Sequence, residues 1–526
     1  MNFNLSRAVH RHSVDNPGSL AVASDSRELT YGQFASGARA ISACIRTSPS
    51  FVWLDGQPPR VGILASRSVE AALGVMGAAW AGATYVPIGP KLPEDRILTI
   101  LSLCNLSALI VGPEGVKQMT DKVLSACPPL VIVHGAAQFQ AKGLSRIKFH
   151  DADSLPDALH EEPANVEGGS ISYILFTSGT TGVPKGVAIP AAAVANYVEA
   201  ATAIFEMRPS DRTIELTELT FDVSVSNMFC TWEAGASLHV LPAVRVMSAV
   251  KFARQRHLTV WSSVPSLIDR LRQIKALTPG ALPGIRLSVF MGEPLTESLV
   301  TAWMDATPNS VIVNQYGPTE TTIANTSCRI SVPIPLTPGR DYCPLGKPWA
   351  GNELAIVSPD GVFVPAGTPG ELALSGVQLS SGYLNQPELN VARFPTIDGK
   401  RWYLSGDLAM QDSSGTFHLL GRIDNQVKVM GNRVELEEVD THLRTVANSG
   451  IAAAVTWPVV DGIVQGLVGF VGAKQIDQLQ IIAAMKDKLP AYMVPSRILA
   501  LENIPFNANG KVDRNALRQL LQSGEV

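Results

Sequence analysis

The segment YILFTSGTTGVPKGVAIP (173–190) decides how the rest of the chain is read. An apolar run ends in a hydroxyl- and glycine-rich loop, Thr177, Ser178, Gly179, Thr180, Thr181 and Gly182, and then reaches Lys185 and Gly186. Clustered backbone N–H groups, hydroxyls and one cation are what a polyphosphate needs from a protein. No GK[ST] follows at the spacing of the ordinary P-loop, so a different phosphate-binding loop is expected. Outward from this segment, VGILAS (61–66), ALIVG (108–112) and PLVIVHG (129–135) are short apolar runs bounded by turns, as buried parallel strands are. Between them SVEAALGVMGAAWAG (68–82) and PEDRILTILSLC (93–104) carry helical spacing. The rhythm predicts an α/β fold with mainly parallel sheet layers. From about residue 330 to 418 the texture becomes Gly/Pro-punctuated short strands, NELAIVS, GELALSG and TFHLLGR, which predict a β-rich subdomain. After GRIDNQ (421–426) a helix (436–450), two strands, a second helix (478–489) and a basic tail predict a small α+β domain.

Composition narrows the function classes. The chain has 526 residues, 46% hydrophobic and 17% charged, enough to bury a large core. Lys+Arg 42 against Asp+Glu 46 leaves a net charge of −4, which asks for no nucleic-acid or anionic-membrane partner. The six cysteines (Cys44, Cys104, Cys127, Cys230, Cys328, Cys343) form no CxxC pair and have no His at zinc spacing, so they read as thiols of a reducing compartment. The N-terminus lacks the apolar stretch of a signal peptide. Residues 71–88 superficially resemble a membrane span, but Gly74, Gly77, Gly82 and Pro87 interrupt them. A buried helix ending near Trp80, a stop at Gly82 and a short TYVPI strand are expected instead. The expected address is the cytoplasm.

TSGTTGVPKG is followed, in order, by FDVSVSNMF (221–229), NQYGPTETT (314–322), GELALSGVQLSSGYLN (370–385), YLSGDL (403–408), GRIDNQVKVMGNRVELEEVD (421–440) and NANGKVDR (507–514). LTYGQF (29–34) and AGATYVPIGP (81–90) precede it. On these motifs the chain resembles the adenylation domains of nonribosomal peptide synthetases, within the adenylate-forming superfamily that includes acyl-CoA synthetases and firefly luciferase. The resemblance covers essentially the whole chain. It implies a large N-terminal adenylation core (1–423) and a small mobile C-terminal domain (424–526). It also implies ATP and Mg²⁺, and a two-step ligase reaction. A carboxylate first attacks the α-phosphate of ATP; a phosphopantetheine thiol then attacks the acyl-adenylate. Two anions meet in the first step, so charge neutralisation and alignment are the expected means of catalysis.

The resemblance assigns roles residue by residue. Thr177, Ser178, Gly179, Thr180, Thr181, Gly182 and Lys185 would hold the β- and γ-phosphates. Tyr316, followed by Gly317, would stack on adenine, Thr319 would reach the α-phosphate, and Glu320 would hold Mg²⁺. Asp407 would accept both ribose hydroxyls, with Arg422 near the same sugar. Lys511 would bridge the substrate carboxylate and the α-phosphate. Asp424 would be the hinge that withdraws Lys511 and brings Gly431 to the pantetheine entrance. Leu404 and Met430 stand where relatives usually carry basic residues, which affects one peripheral contact and the second step.

Asp222 matches the aspartate that pairs with an α-ammonium, and a plain acyl ligase has no use for a buried carboxylate there. The bland alternative is a cap on the following helix. The other pocket positions carried over are Val223, Ser226, Ser262, Val289, Met291, Gln315, Ile323 and Ala324. Ser226 and Ser262 are expected to leave depth, which suits a large side chain with a polar tip, tryptophan first. The leading reading is an amino-acid adenylating ligase that serves a carrier protein in trans. An acyl- or aryl-CoA ligase and a non-catalytic adenylate-binding module remain alternatives. The given sequence stops at Val526 without a carrier domain, so the expectation is either a free-standing enzyme, towards which the Met1 start leans, or an excised piece of a larger synthetase.

Overall fold

The computed structural model describes residues 2–53, 56–135, 146–158, 161–179, 183–460, 462–507 and 511–526. Thr180, Thr181 and Gly182 of the expected phosphate loop lie outside the described residues. Two large sheets carry the architecture. In one, the strands Arg60–Leu64, Thr84–Ile88, Ala108–Val111, Leu130–Val133 and Ile171–Thr177 run parallel, and Lys185–Pro190 folds back antiparallel on Ile171–Thr177. In the other, Arg212–Glu215, Val260–Ser263, Leu287–Phe290 and Val311–Tyr316 are consecutive parallel neighbours. The three apolar runs read as buried strands are all in the first sheet.

Four helices lie between the sheets. Val69–Trp80 and Ala191–Ile204 pack on the first sheet, Tyr31–Arg46 and Val223–Glu233 on the second, and the helices pair across the middle. The suspected span is therefore a core helix. Ser68 caps it through the Ala71 N–H, and Gly82 ends the segment at φ +76°, before the strand Thr84–Ile88. Gly77 lets the helix Tyr31–Arg46 approach closely: a Cβ there would fall 2.4 Å from Ile41 Cγ2. No helix among the described residues is long and apolar enough to cross a membrane.

The β-rich unit is an antiparallel sheet of Asn352–Val357, Gly370–Gly376, Tyr403–Gln411 and Phe417–Arg422. Beyond it, the hairpin Gln426–Val429/Asn432–Glu435 leads to the helix Leu436–Val446 and a sheet of Ala452–Thr456, Leu467–Val471 and Arg497–Ala500. The tail is more ordered than its basic composition suggests. It supplies the third strand of that sheet, and its helix Arg514–Ser523 is capped by Asp513 and buries Leu517 and Leu521. These C-terminal residues build two apolar clusters of their own, around Leu443 and Met485 and around Phe470 and Leu517.

Candidate active site

The parallel strands of the second sheet all end at one cleft of about 890 Å³. This is where ligands sit in open α/β sheets. Its wall includes Thr177, Ser178, Asp222, Met291, Gln315, Tyr316, Gly317, Thr319, Asp407, Arg422, Lys428 and Gly431. Most of the sequence-derived positions therefore converge. Strand Val311–Tyr316 delivers Gln315 and Tyr316, and the chain then turns tightly at Gly317, where a Cβ would meet Ala324 Cα at 2.4 Å.

Asp222 precedes the helix Val223–Glu233, yet its side chain makes no capping bond. Its carboxylate instead accepts a 2.7 Å hydrogen bond from the Thr319 hydroxyl. Burial pushes the Asp222 carboxyl above the usual carboxylate range, against the pull of Thr319 and Lys428. Asp407 accepts hydrogen bonds from the Tyr316 hydroxyl and, at 2.8 Å, from Arg422 Nη1. Arg422 also donates through Nε (2.8 Å) and Nη2 (2.7 Å) to Asp424, which ties the expected hinge to the expected ribose clamp.

The side of the cleft next to Ser178 and Glu320 is engaged by the C-terminal hairpin. Arg433 Nη1 donates to both Glu320 oxygens, at 3.0 and 2.9 Å, and the Tyr383 hydroxyl adds a bond of 2.8 Å. Burial alone would raise the fully buried Glu320 carboxyl, but Arg433 and Tyr383 outweigh it and hold the group at about 2. Lys185 faces Glu435 at 3.4 Å, and burial lowers its pKa. Ser178 Oγ donates to the Arg433 carbonyl (3.1 Å), and the Gly179 N–H donates to Glu438 (3.0 Å), which Arg96 also pairs at 2.6 Å. The Gly431 N–H donates to Glu293 at 2.5 Å. Lys428 enters the cleft near Asp222, Asp407 and Glu293; burial lowers its pKa, and these carboxylates oppose the shift. Lys511 is exposed and outside the cleft wall; its backbone N–H donates to Asn507 Oδ1 at 3.1 Å.

Sequence reasoning missed Lys428, Glu293, Arg433, Glu435 and Glu438 as site residues. Four of them lie inside the quoted GRIDNQVKVMGNRVELEEVD, whose dense charges along one hairpin and helix start were the available signal. Glu293 and Tyr197 carried none. Ser226, Ser262, Val289 and Ala324 are buried and do not line the cleft, and Tyr197 Oη lies 2.8 Å from Ser226 Oγ.

The sequence pattern described as AMP-binding enzyme matches residues 9–384. The chain belongs to the AMP-binding enzyme family. The resemblance read from the motifs therefore holds, and the α/β fold class with it. Tyrocidine synthase 3 of Brevibacillus parabrevis is 29% identical over 525 residues, covering 98% of this chain and 8% of that protein. Phenyloxazoline synthase MbtB of Mycobacterium sp. (strain MCS) is 31% identical over 520 residues, covering 96% of this chain and 41% of that one. The chain thus spans less than half the length of either relative. Among solved structures, the Vibrio cholerae adenylation domain AlmE in complex with glycyl-adenosine-5'-phosphate is 30% identical with a TM-score of 0.86, covering 99% of this chain and 98% of that one. The adenylation- and PCP-containing protein PA1221 shares the fold at a TM-score of 0.79 and 22% identity, covering 98% of this chain and 84% of that one.

Proposed function

We propose that this AMP-binding enzyme activates an α-amino acid with ATP and transfers it to the phosphopantetheine thiol of a carrier protein. The observation that carries the reading is Asp222. Its carboxylate caps no helix, faces the cleft beside Thr319, and has no arginine or lysine bonded to it among the described residues. A desolvated carboxylate in that position gains most from an arriving ammonium. The structure of AlmE with glycyl-adenosine-5'-phosphate supports an aminoacyl-adenylate as the intermediate.

Thr177, Ser178, Gly179 and Lys185, with Thr180, Thr181 and Gly182, take the β- and γ-phosphates. Tyr316 and Gly317 border the adenine. Asp407 and Arg422 hold the ribose, and Thr319 reaches the α-phosphate. Glu320 would suit Mg²⁺: it is paired with Arg433 here, and once Arg433 withdraws, this carboxylate would offer its oxygens to a hard cation. Bound there, Mg²⁺ supplies neutralising charge to the phosphates. In the first step a substrate carboxylate oxygen bonds to the α-phosphorus while the bond to the pyrophosphate oxygen breaks. Lys511, brought in by rotation at Asp424, lowers the repulsion between the two anions.

This seating of the hairpin on the core suits the second step. Arg433, Glu435 and Glu438 take the partners that pyrophosphate and Mg²⁺ would use, while Asp222, Asp407 and Lys428 still face the cleft. The thiol sulfur then bonds to the adenylate carbonyl carbon, AMP leaves, and the thiol proton passes to solvent. We take residues 1–423 as the core, 424–526 as the moving unit, and the cytoplasm, where ATP is abundant, as the address.

The test is pyrophosphate exchange with Asp222→Ala. Wild type should prefer an α-amino acid to its des-amino analogue, and the variant should lose at least about a hundredfold on the amino acid, in line with roughly 3–5 kcal/mol for a broken buried pair. The des-amino analogue should lose far less. A wild type that prefers plain aryl or fatty acids is an acyl-CoA ligase.

A further inference from the structure

The floor of the amino-acid site is set by a residue outside the nine positions carried over from the family. Asp222 and Ser226 are four residues apart at the start of the helix Val223–Glu233, so Ser226 lies one turn, about 6 Å along the axis, deeper than Asp222. At that depth Tyr197, from the helix Ala191–Ile204, puts its hydroxyl 2.8 Å from Ser226 Oγ. The Tyr197 ring is fully buried and lies against Trp349 with centroids 5.4 Å apart, which fixes it as a plug. Strand register gives the same depth. Ser262, Val289 and Val313 are cross-strand neighbours in one buried layer, and Met291 and Gln315 are two residues nearer the cleft. The cleft wall stops at the upper layer, with Val223, Met291, Gln315 and Ile323.

Gln315 is 2% exposed; its carboxamide interacts with the Tyr197 hydroxyl, but neither of its polar atoms, nor Ser262 Oγ in the layer below, makes a hydrogen bond of good geometry. A buried carboxamide whose hydrogen bonds are incomplete is costly unless a ligand completes them. Facing a short cavity, it selects a group that both donates and accepts.

We propose that the enzyme selects an α-amino acid whose side chain is short, uncharged and ends in a hydroxyl or carboxamide, of the size of serine, threonine or asparagine. Tyr197 sets the depth and Gln315 reads the polar end. This replaces the large side chain expected from the sequence and rests on Asp222 as the partner of the ammonium.

The experiment is pyrophosphate exchange with wild-type residues 1–526 and with Tyr197→Ala, Tyr197→Phe and Gln315→Leu. The acids are glycine, alanine, serine, threonine, asparagine, leucine, phenylalanine and tryptophan, plus 3-hydroxypropanoate as the des-amino form of serine. Wild type should favour one of serine, threonine or asparagine at least tenfold over alanine and leucine, and a hundredfold over tryptophan. Tyr197→Ala should raise leucine or phenylalanine at least tenfold relative to the best short acid. Tyr197→Phe, which keeps the ring, should still reject them. Gln315→Leu should move the preference to alanine or leucine. A wild type that favours tryptophan, phenylalanine or leucine overturns the proposal even if Tyr197→Ala fails to fold, and leaves the amino-acid reading intact. A wild type that prefers 3-hydroxypropanoate to serine, or no amino acid at all, overturns that reading and the proposal with it.

Discussion

Arg433→Met should separate the two half-reactions. Glu320 is fully buried, and Arg433 is its charged partner in the described arrangement. Burial opposes the Glu320 charge, yet Arg433 and Tyr383 bring the carboxyl from its ordinary 4.5 to about 2. That difference is worth about 3 kcal/mol, since each pH unit corresponds to roughly 1.4 kcal/mol. Removing one partner of a buried pair costs roughly the same, 3–5 kcal/mol. The seating of the C-terminal hairpin on the core should therefore weaken about a hundredfold or more. Thioester formation, measured in a single turnover from preformed adenylate with carrier protein or pantetheine, should fall by that factor. Pyrophosphate exchange, which under the proposed rotation at Asp424 uses a different seating of the hairpin, should change by less than about threefold. The sign with pH follows from the lowered carboxyl: the contribution is complete above about 4.5 and disappears as pH falls towards 2. Equal losses in both half-reactions would refute the reasoning, and so would an unchanged rate of thioester formation.

Three further outcomes are expected. Lys511→Ala should lower pyrophosphate exchange about a hundredfold or more and spare thioester formation from supplied adenylate, because this lysine is exposed and outside the cleft wall in the arrangement suited to transfer. Asp424→Pro should keep exchange and lose thioester formation in the same pair of assays: proline fixes φ and cannot reproduce the carboxylate's bonds to Arg422 and the Gln426 N–H. Gly77→Ala should destabilise the core by about 1–3 kcal/mol, read as a lower melting temperature, because the added Cβ meets Ile41 at 2.4 Å.

The parts of this protein legible in its sequence are those that neighbouring residues build. The apolar run 171–177 is a strand, its loop carries the phosphate-type groups, and Lys185 follows at Thr177's antiparallel partner position, all within fifteen residues. The run 69–88 reads as helix, stop and strand because Ser68, Trp80 and Gly82 mark each boundary locally. Motif order then places Asp222, Tyr316, Thr319 and Asp407 in one cleft. Other features depend on segments far apart in the chain. The basic tail becomes a strand and a helix because the sheet 452–471 offers an edge and Ala453, Val455 and Phe470 form an apolar face. Arg433, Glu435 and Glu438 are ordinary charged residues of a hairpin and helix start until that hairpin is seated against Glu320, Lys185 and Gly179. Ser226 and Ser262 are small, and by themselves imply space; the hydroxyl that meets Ser226 is that of Tyr197, which comes from a different helix. Sequence pattern fixes which groups a strand or helix presents. Which volume is left beside them, and which charge meets them, is settled only when distant elements pack and each buried group has to find a partner from another part of the chain.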